Sequence, residues 1–169
     1  MNHLAILRRS LAVLVLTGAA LAARDDLLVA DFEGATYGAW KTTGEAFGPG
    51  PARGTLPGQM EVSGFEGRGL VNSFYNGDRS VGTLTSPPFR IERDFLVFLV
   101  GGGMHPGETC INLLIGGKVV RTATGPNDKP GGSERLERHS WEVRALAGKD
   151  AIIEIVDRAT GGWGHINVD

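Results

Sequence analysis

Asp94-Phe95-Leu96-Val97-Phe98-Leu99-Val100, closed by Gly101-Gly102-Gly103, is the most apolar stretch of the chain beyond residue 23. An unbroken apolar run of this length, stopped by glycines, predicts a central β-strand buried on both faces. A central strand needs neighbours. The segments on either side are therefore candidates for pairing with it.

Downstream, Thr109 to Ile115 and Lys118 to Thr124 flank Gly116-Gly117. Two β-rich runs around a Gly-Gly pair predict a hairpin with a primed turn, which needs positive φ at both central residues. Asn127 to Gly132 reads as a loop. Arg135 to Val143 alternates, but apolar groups fall on both parities and its facing stays open. Arg144 to Gly148 suits one helical turn. Ala151 to Asp157 is a second strong strand, and Gly161-Gly162 leads into a last strand over Trp163 to Asp169. Upstream, Leu27 to Phe32 reads as a first strand and Ala39 to Thr43 as a second. A long irregular stretch follows from Gly44 to Gly69, with Gly48-Pro49-Gly50-Pro51 and Leu56-Pro57-Gly58 as turn signals. Phe47, Leu56, Met60 and Phe65 are its expected anchors. Gly69 to Phe74, Gly82 to Ser86 and Phe89 to Ile91 complete the set, with Asn76-Gly77 as a tight turn. About nine short strands with turn signals between them predict an all-β fold, a two-sheet β-sandwich or jelly roll.

The bulk numbers agree. The 169 residues include 26 glycines and 8 prolines without a fixed period, which fits many turns and not a collagen repeat. Met1 to Ala22 has the layout of a signal peptide. Arg8 and Arg9 precede an apolar run, and Ala20-Leu21-Ala22 suits cleavage. The run is too short to span a bilayer comfortably. The expectation is an exported, secreted or periplasmic protein with one β-sandwich domain over residues 23–169 and no membrane attachment after cleavage. Removing Arg8 and Arg9 from the 17 basic residues leaves 15 against 19 acids. That balance provides no footprint for nucleic acid. Cys110 is the single cysteine, so no internal disulfide forms and the core holds the fold unaided.

Several motifs carry a family resemblance. Asp31-Phe32-Glu33-Gly34, Trp40 and Gly44-Glu45-Ala46-Phe47-Gly48-Pro49-Gly50-Pro51 resemble the amino-terminal module of bacterial glycoside hydrolase family 32 enzymes. Those are levanases, inulinases and other β-fructosidases. The resemblance continues through Gly69 to Ser73, Gly82 to Phe89, Cys110 to Leu114 and Gly161 to Asp169. It implies a galactose-binding-like jelly roll that contacts a fructan-type polysaccharide or braces a glycoside hydrolase catalytic domain. The family's catalytic motifs are missing. There is no Trp-Met-Asn-Asp-Pro-Asn-Gly run, Arg93-Asp94 is followed by Phe95 and not proline, and Thr109 separates Glu108 from Cys110. No catalytic residue is therefore assigned. A purely structural interaction module, and a fragment of a glycosidase, are the alternatives.

The candidate binding residues sit in expected loops. Trp163, between glycines and beside His165, offers a flat ring for the C–H face of a sugar. Tyr75, Asn76, Asp78 and Arg79 form a second polar-aromatic loop, and His105 belongs to a third. Asp78 and Arg79 suit bidentate bonding to vicinal hydroxyls. Asp31 and Glu33 lie two apart, on one face of an extended chain. With Asp169 they are candidates for a structural calcium, which modules of the resembled type commonly hold there. A small hydrolase built on Asp31, Glu33 or His165 is the remaining alternative. It lacks an enclosed pocket to split the pKa values of its acids.

Overall fold

The computed structural model describes residues 25–169, so the expected leader lies outside the described residues. Ten strands form two antiparallel sheets. In chain order they are β1 (Lys41–Gly44), β2 (Val71–Asn72), β3 (Gly82–Thr85), β4 (Phe89–Arg90), β5 (Phe95–Gly102), β6 (Thr109–Ile115), β7 (Lys118–Ala123), β8 (Glu137–Glu142), β9 (Asp150–Asp157) and β10 (Ile166–Val168). The larger sheet runs β1-β3-β9-β6-β7, with β4 also paired to β9. The smaller runs β2-β10-β5-β8. A single 3-10 turn at Arg144–Leu146 is the only helical element among the described residues.

Alternation explains the stacking. In β6 and β9, Ile111, Leu113, Ile153 and Ile155 point to one face, joined by Leu84 of β3. Phe98 and Val100 of β5, Ile166 and Val168 of β10, Val71 of β2 and Trp141 of β8 meet them from the smaller sheet. Each such side chain contributes about 1.5–3 kcal/mol by leaving water. Phe98 and Trp141 add an edge-on aromatic pair at 4.6 Å. The predicted β6–β7 hairpin forms, with Gly116 and Gly117 at φ of 56° and 75°. Cys110 is buried, and its thiol reaches Asn112 Oδ1 at 3.5 Å.

Three expectations are corrected. Leu27–Phe32 is not a strand. It finds no ladder partner, and Phe32 turns into the left-handed region at φ 50°. The central run is β5, but it is not buried on both faces: Phe95 is 54% exposed and Val97 45%. Only Leu99 on that outer parity is covered, by a small cluster of Val62, Leu70 and Leu136 beneath the 44–69 loop. Within that loop Phe47 is buried and Leu56 and Phe65 are half-buried, whereas Met60 is exposed and anchors nothing. The open facing of β8 resolves simply. Trp141 is the one buried residue of the strand; His139, on the same parity, reaches the Phe98 ring at 5.2 Å but stays exposed, as suits an edge strand.

Candidate functional site

Four connections meet at one end of the sandwich: β2–β3, β5–β6, β7–β8 and β9–β10. Backbone bonds fasten them. Gly103 N–H donates to His165 O at 2.8 Å, and Met104 N–H to Asn127 O at 2.7 Å. Asn127, buried, donates to Gly102 O at 2.8 Å and Ser133 O at 3.0 Å and accepts from Ser133 N–H at 3.2 Å. Gly103 is required because a Cβ there would collide with the Trp163 carbonyl.

His165 is the centre of this end. It directly precedes β10 and is 3% exposed. Its Nδ1 faces Asp78 Oδ1 at 2.6 Å, and its Nε2 faces Glu134 Oε1 at 2.9 Å and Oε2 at 3.0 Å. A ring whose two nitrogens both meet carboxylates carries both protons. Burial alone would lower its pKa, but bonding and charge from Glu134 and then Asp78 outweigh it and hold the pKa above the ordinary value. Glu134 is itself 2% exposed and accepts Asn167 Nδ2 at 2.8 Å. Phe74 closes an edge-on contact to the imidazole at 4.9 Å. An imidazolium with both N–H groups engaged has no lone pair to take a proton from a substrate. The cluster therefore holds loops in place.

Behind it lies Asp157, the last residue of β9, fully buried on the core-facing parity opposite Thr109. Neither carboxyl oxygen has a hydrogen-bond partner, nor has Thr109 Oγ1. Burial pushes its pKa up to about 7; the nearby Ser73 hydroxyl, short of hydrogen-bonding geometry, and the charge of His165 pull back, and Asp78 adds to the rise. Ser73 Oγ also accepts Ile166 N–H at 2.8 Å.

Trp163 sits on this base. It takes φ 59°, a conformation rare for a bulky side chain. Its indole N–H donates to Lys129 O at 2.9 Å, its ring lies 5.7 Å from that of His165, and it remains partly exposed. His105 joins from the β5–β6 loop, its Nε2 donating to Gly162 O at 3.3 Å. The structure thus gathers Trp163, His165, Asp78 and His105. It sends Tyr75 elsewhere: the ring packs on Gly48 and lines a shallow depression of about 190 Å³ with Pro49, Pro51 and Leu56. Asn76 and Arg79 stay exposed. Sequence reasoning missed Glu134, Asn127, Asp157 and Asn167.

The three proposed calcium ligands converge on a different place, the outer face of the smaller sheet. Glu33 Oε1 there accepts Arg68 N–H at 2.6 Å and Gly69 N–H at 2.7 Å, while Oε2 faces Arg68 at 3.6 Å and Arg53 at 3.9 Å. Those backbone bonds, first from Arg68 and then from Gly69, hold its pKa below the usual carboxylate value. Asp169 accepts Glu66 N–H at 2.7 Å, and Asp31 accepts Glu33 N–H at 3.1 Å. Burial, then the nearby carboxylates of Glu66, Glu33 and Asp31, raise the pKa of Asp169. Glu33 is thus answered by two N–H donors and two guanidinium groups, whereas Asp31 and Asp169 each accept a single backbone N–H. Among the described residues no group of three or more His, Cys, Asp or Glu is arranged to hold a metal ion.

Comparison with known proteins adds one strong likeness. The chain is 48% identical over 149 residues to the Aspergillus rugulosus protein named "Putative glycosyl hydrolase ecdE". The match takes in 86% of this chain and 20% of that protein, so the chain spans about a fifth of the length of the curated relative it matches. No family model matches. Among solved structures, a cyclase from Fischerella sp. TAU is similar at 15% identity, covering 79% of this chain and 82% of that one, with a TM-score of 0.49. The C-terminal extracellular domain of Mycobacterium tuberculosis EmbC follows at 14% identity, 74% and 52% coverage and a TM-score of 0.44. At these scores neither structural likeness bears on function. The chain is similar, over most of its length, to one fifth of a protein named as a glycosyl hydrolase.

Proposed function

We propose that this chain is a non-catalytic carbohydrate-binding or accessory module of a glycosyl hydrolase, with fructans of the family 32 type as the first ligands to test. The observation that carries it is Trp163. A bulky residue held at positive φ is backbone strain of the kind that clusters at functional sites. Here the strain presents a partly exposed indole on a rigid ionic base, next to the side chains of Asp78 and His105. Such a ring stacks on the apolar face of a sugar while polar neighbours take hydroxyls. The relative's name supports a glycosidase setting, and the leader-like layout of residues 1–22 supports an exported one. The purified chain is expected to release no fructose from levan.

Titration with levan and inulin oligomers, followed by chemical-shift change, tests the reading. Binding is expected in the millimolar range or tighter. Trp163→Ala is expected to weaken it about tenfold, in line with about 1.4 kcal/mol for a lost stacking contact. No response to these or other glycans at millimolar concentration would sink the binding claim.

A structural accessory role, packing on a neighbouring domain, is the second reading. The exposed apolar residues of β5 favour it.

A further inference from the structure

The outer face of the smaller sheet carries an apolar stripe along β5, beside the polar Arg138, Ser140 and Glu142 of β8. Phe95 and Val97 stand on the same parity of β5, about 7 Å apart along the strand, and both are exposed. The stretch 25–31 runs along this face without joining the sheet. Arg93 ties its start down through two bonds to Asp25 O, at 2.7 and 3.0 Å. Leu28 of that stretch is 76% exposed, with Leu27 and Val29 also bare. Leu28, Ala30, Val97 and Leu99 line a depression of about 340 Å³. Its rim is acidic: Asp31, Glu33, Glu66 and Asp169 stand against Arg138, with Arg53 and Arg68 drawn onto Glu33. Adjoining apolar side chains beside an excess of acidic groups are the mark of an interaction surface.

We propose that this face is a docking surface for the polypeptide adjoining the module in a longer protein, which would present an apolar patch flanked by lysines or arginines. The inference rests on the reading of the chain as a module, and the length of its relative supplies the partner: four-fifths of that protein lies outside the matched segment. The docking face and the Trp163 loops involve different residues throughout, so the module would seat on its neighbour by one and meet glycan by the other.

Thiol labelling tests it, because Cys110 is buried and silent. Val97→Cys and, separately, Phe95→Cys are made in the chain alone and in a full-length Aspergillus rugulosus relative whose matched segment is replaced by this chain. Val119→Cys, on β7 of the other sheet and equally exposed, is the reference. At least tenfold slower maleimide labelling at 97 and 95 in the long protein, with position 119 unchanged, is the expected result. Equal rates in both settings would overturn the proposal. So would protection in the chain alone that grows with its concentration, since the occupant would then be a second copy. A failed glycan titration leaves these rates unaffected, so the two readings fail separately.

Discussion

Replacing His165 by alanine is expected to destabilise the protein by about 3–5 kcal/mol, the cost of leaving a buried charge without its partner. Glu134 is almost wholly enclosed, and its oxygens are held by His165 and Asn167. Removing the imidazolium leaves that carboxylate with one neutral donor. Urea denaturation at pH 6 measures the loss. Adding Glu134→Gln to the variant removes the stranded charge and is expected to recover a large part of it. Failure to recover would mean that packing against Phe74, and not charge, is what His165 provides. The pH dependence has a fixed sign. The folded pKa of His165 is raised, so its stabilisation is fully present below the ordinary histidine value and is lost as pH rises through the folded value.

Asp157→Asn has the opposite effect. The folded protein holds this carboxyl up to about 7, against 3.8 for the free group. Across that interval the folded state binds the extra proton, so stability falls as pH rises from about 4 to about 7. A shift of this size corresponds to about 4 kcal/mol at one pKa unit per 1.4 kcal/mol. The amide cannot ionise and can donate to the unpartnered Thr109 oxygen across the ladder. At pH 8 the variant is expected to be more stable than the parent by about 2–4 kcal/mol. At pH 4 the two should nearly coincide. Thermal melts at both pH values decide it, and a variant less stable than the parent at pH 8 would show that Asp157 is ionised and compensated.

Strands whose partners are local were legible in the sequence. Thr109–Ile115 and the turn at Gly116-Gly117 needed only alternation and two glycines free to take positive φ. Leu27–Phe32 has the same apolar character, but a strand exists only where a ladder partner waits, and that is decided by distant residues. The run at Phe95 was legible as a strand and not as a half-exposed one, because burial depends on what covers the sheet. The site divided in the same way. Asp78 and His165 came from loops that alternation had already marked, whereas Glu134, between Ser133 and Arg135, has the local look of a solvated charge. Only the folding of the β7–β8 connection under the sandwich end encloses it. Tyr75 and Asp78 are three residues apart, yet one packs on Gly48 and the other binds His165. No spacing rule distinguishes that outcome.

The lone thiol has a use beyond packing. Cys110 lies near the start of β6, the strand next to the edge strand β7, where it is wholly buried opposite Val156 of β9. Its reaction with an alkylating reagent is expected to proceed at the pace at which the whole sheet comes apart. Alkylation that outruns global unfolding would reveal a looser sheet than its packing implies. The molecule carries its own clock for kinetic stability, readable in the unaltered chain by mass spectrometry.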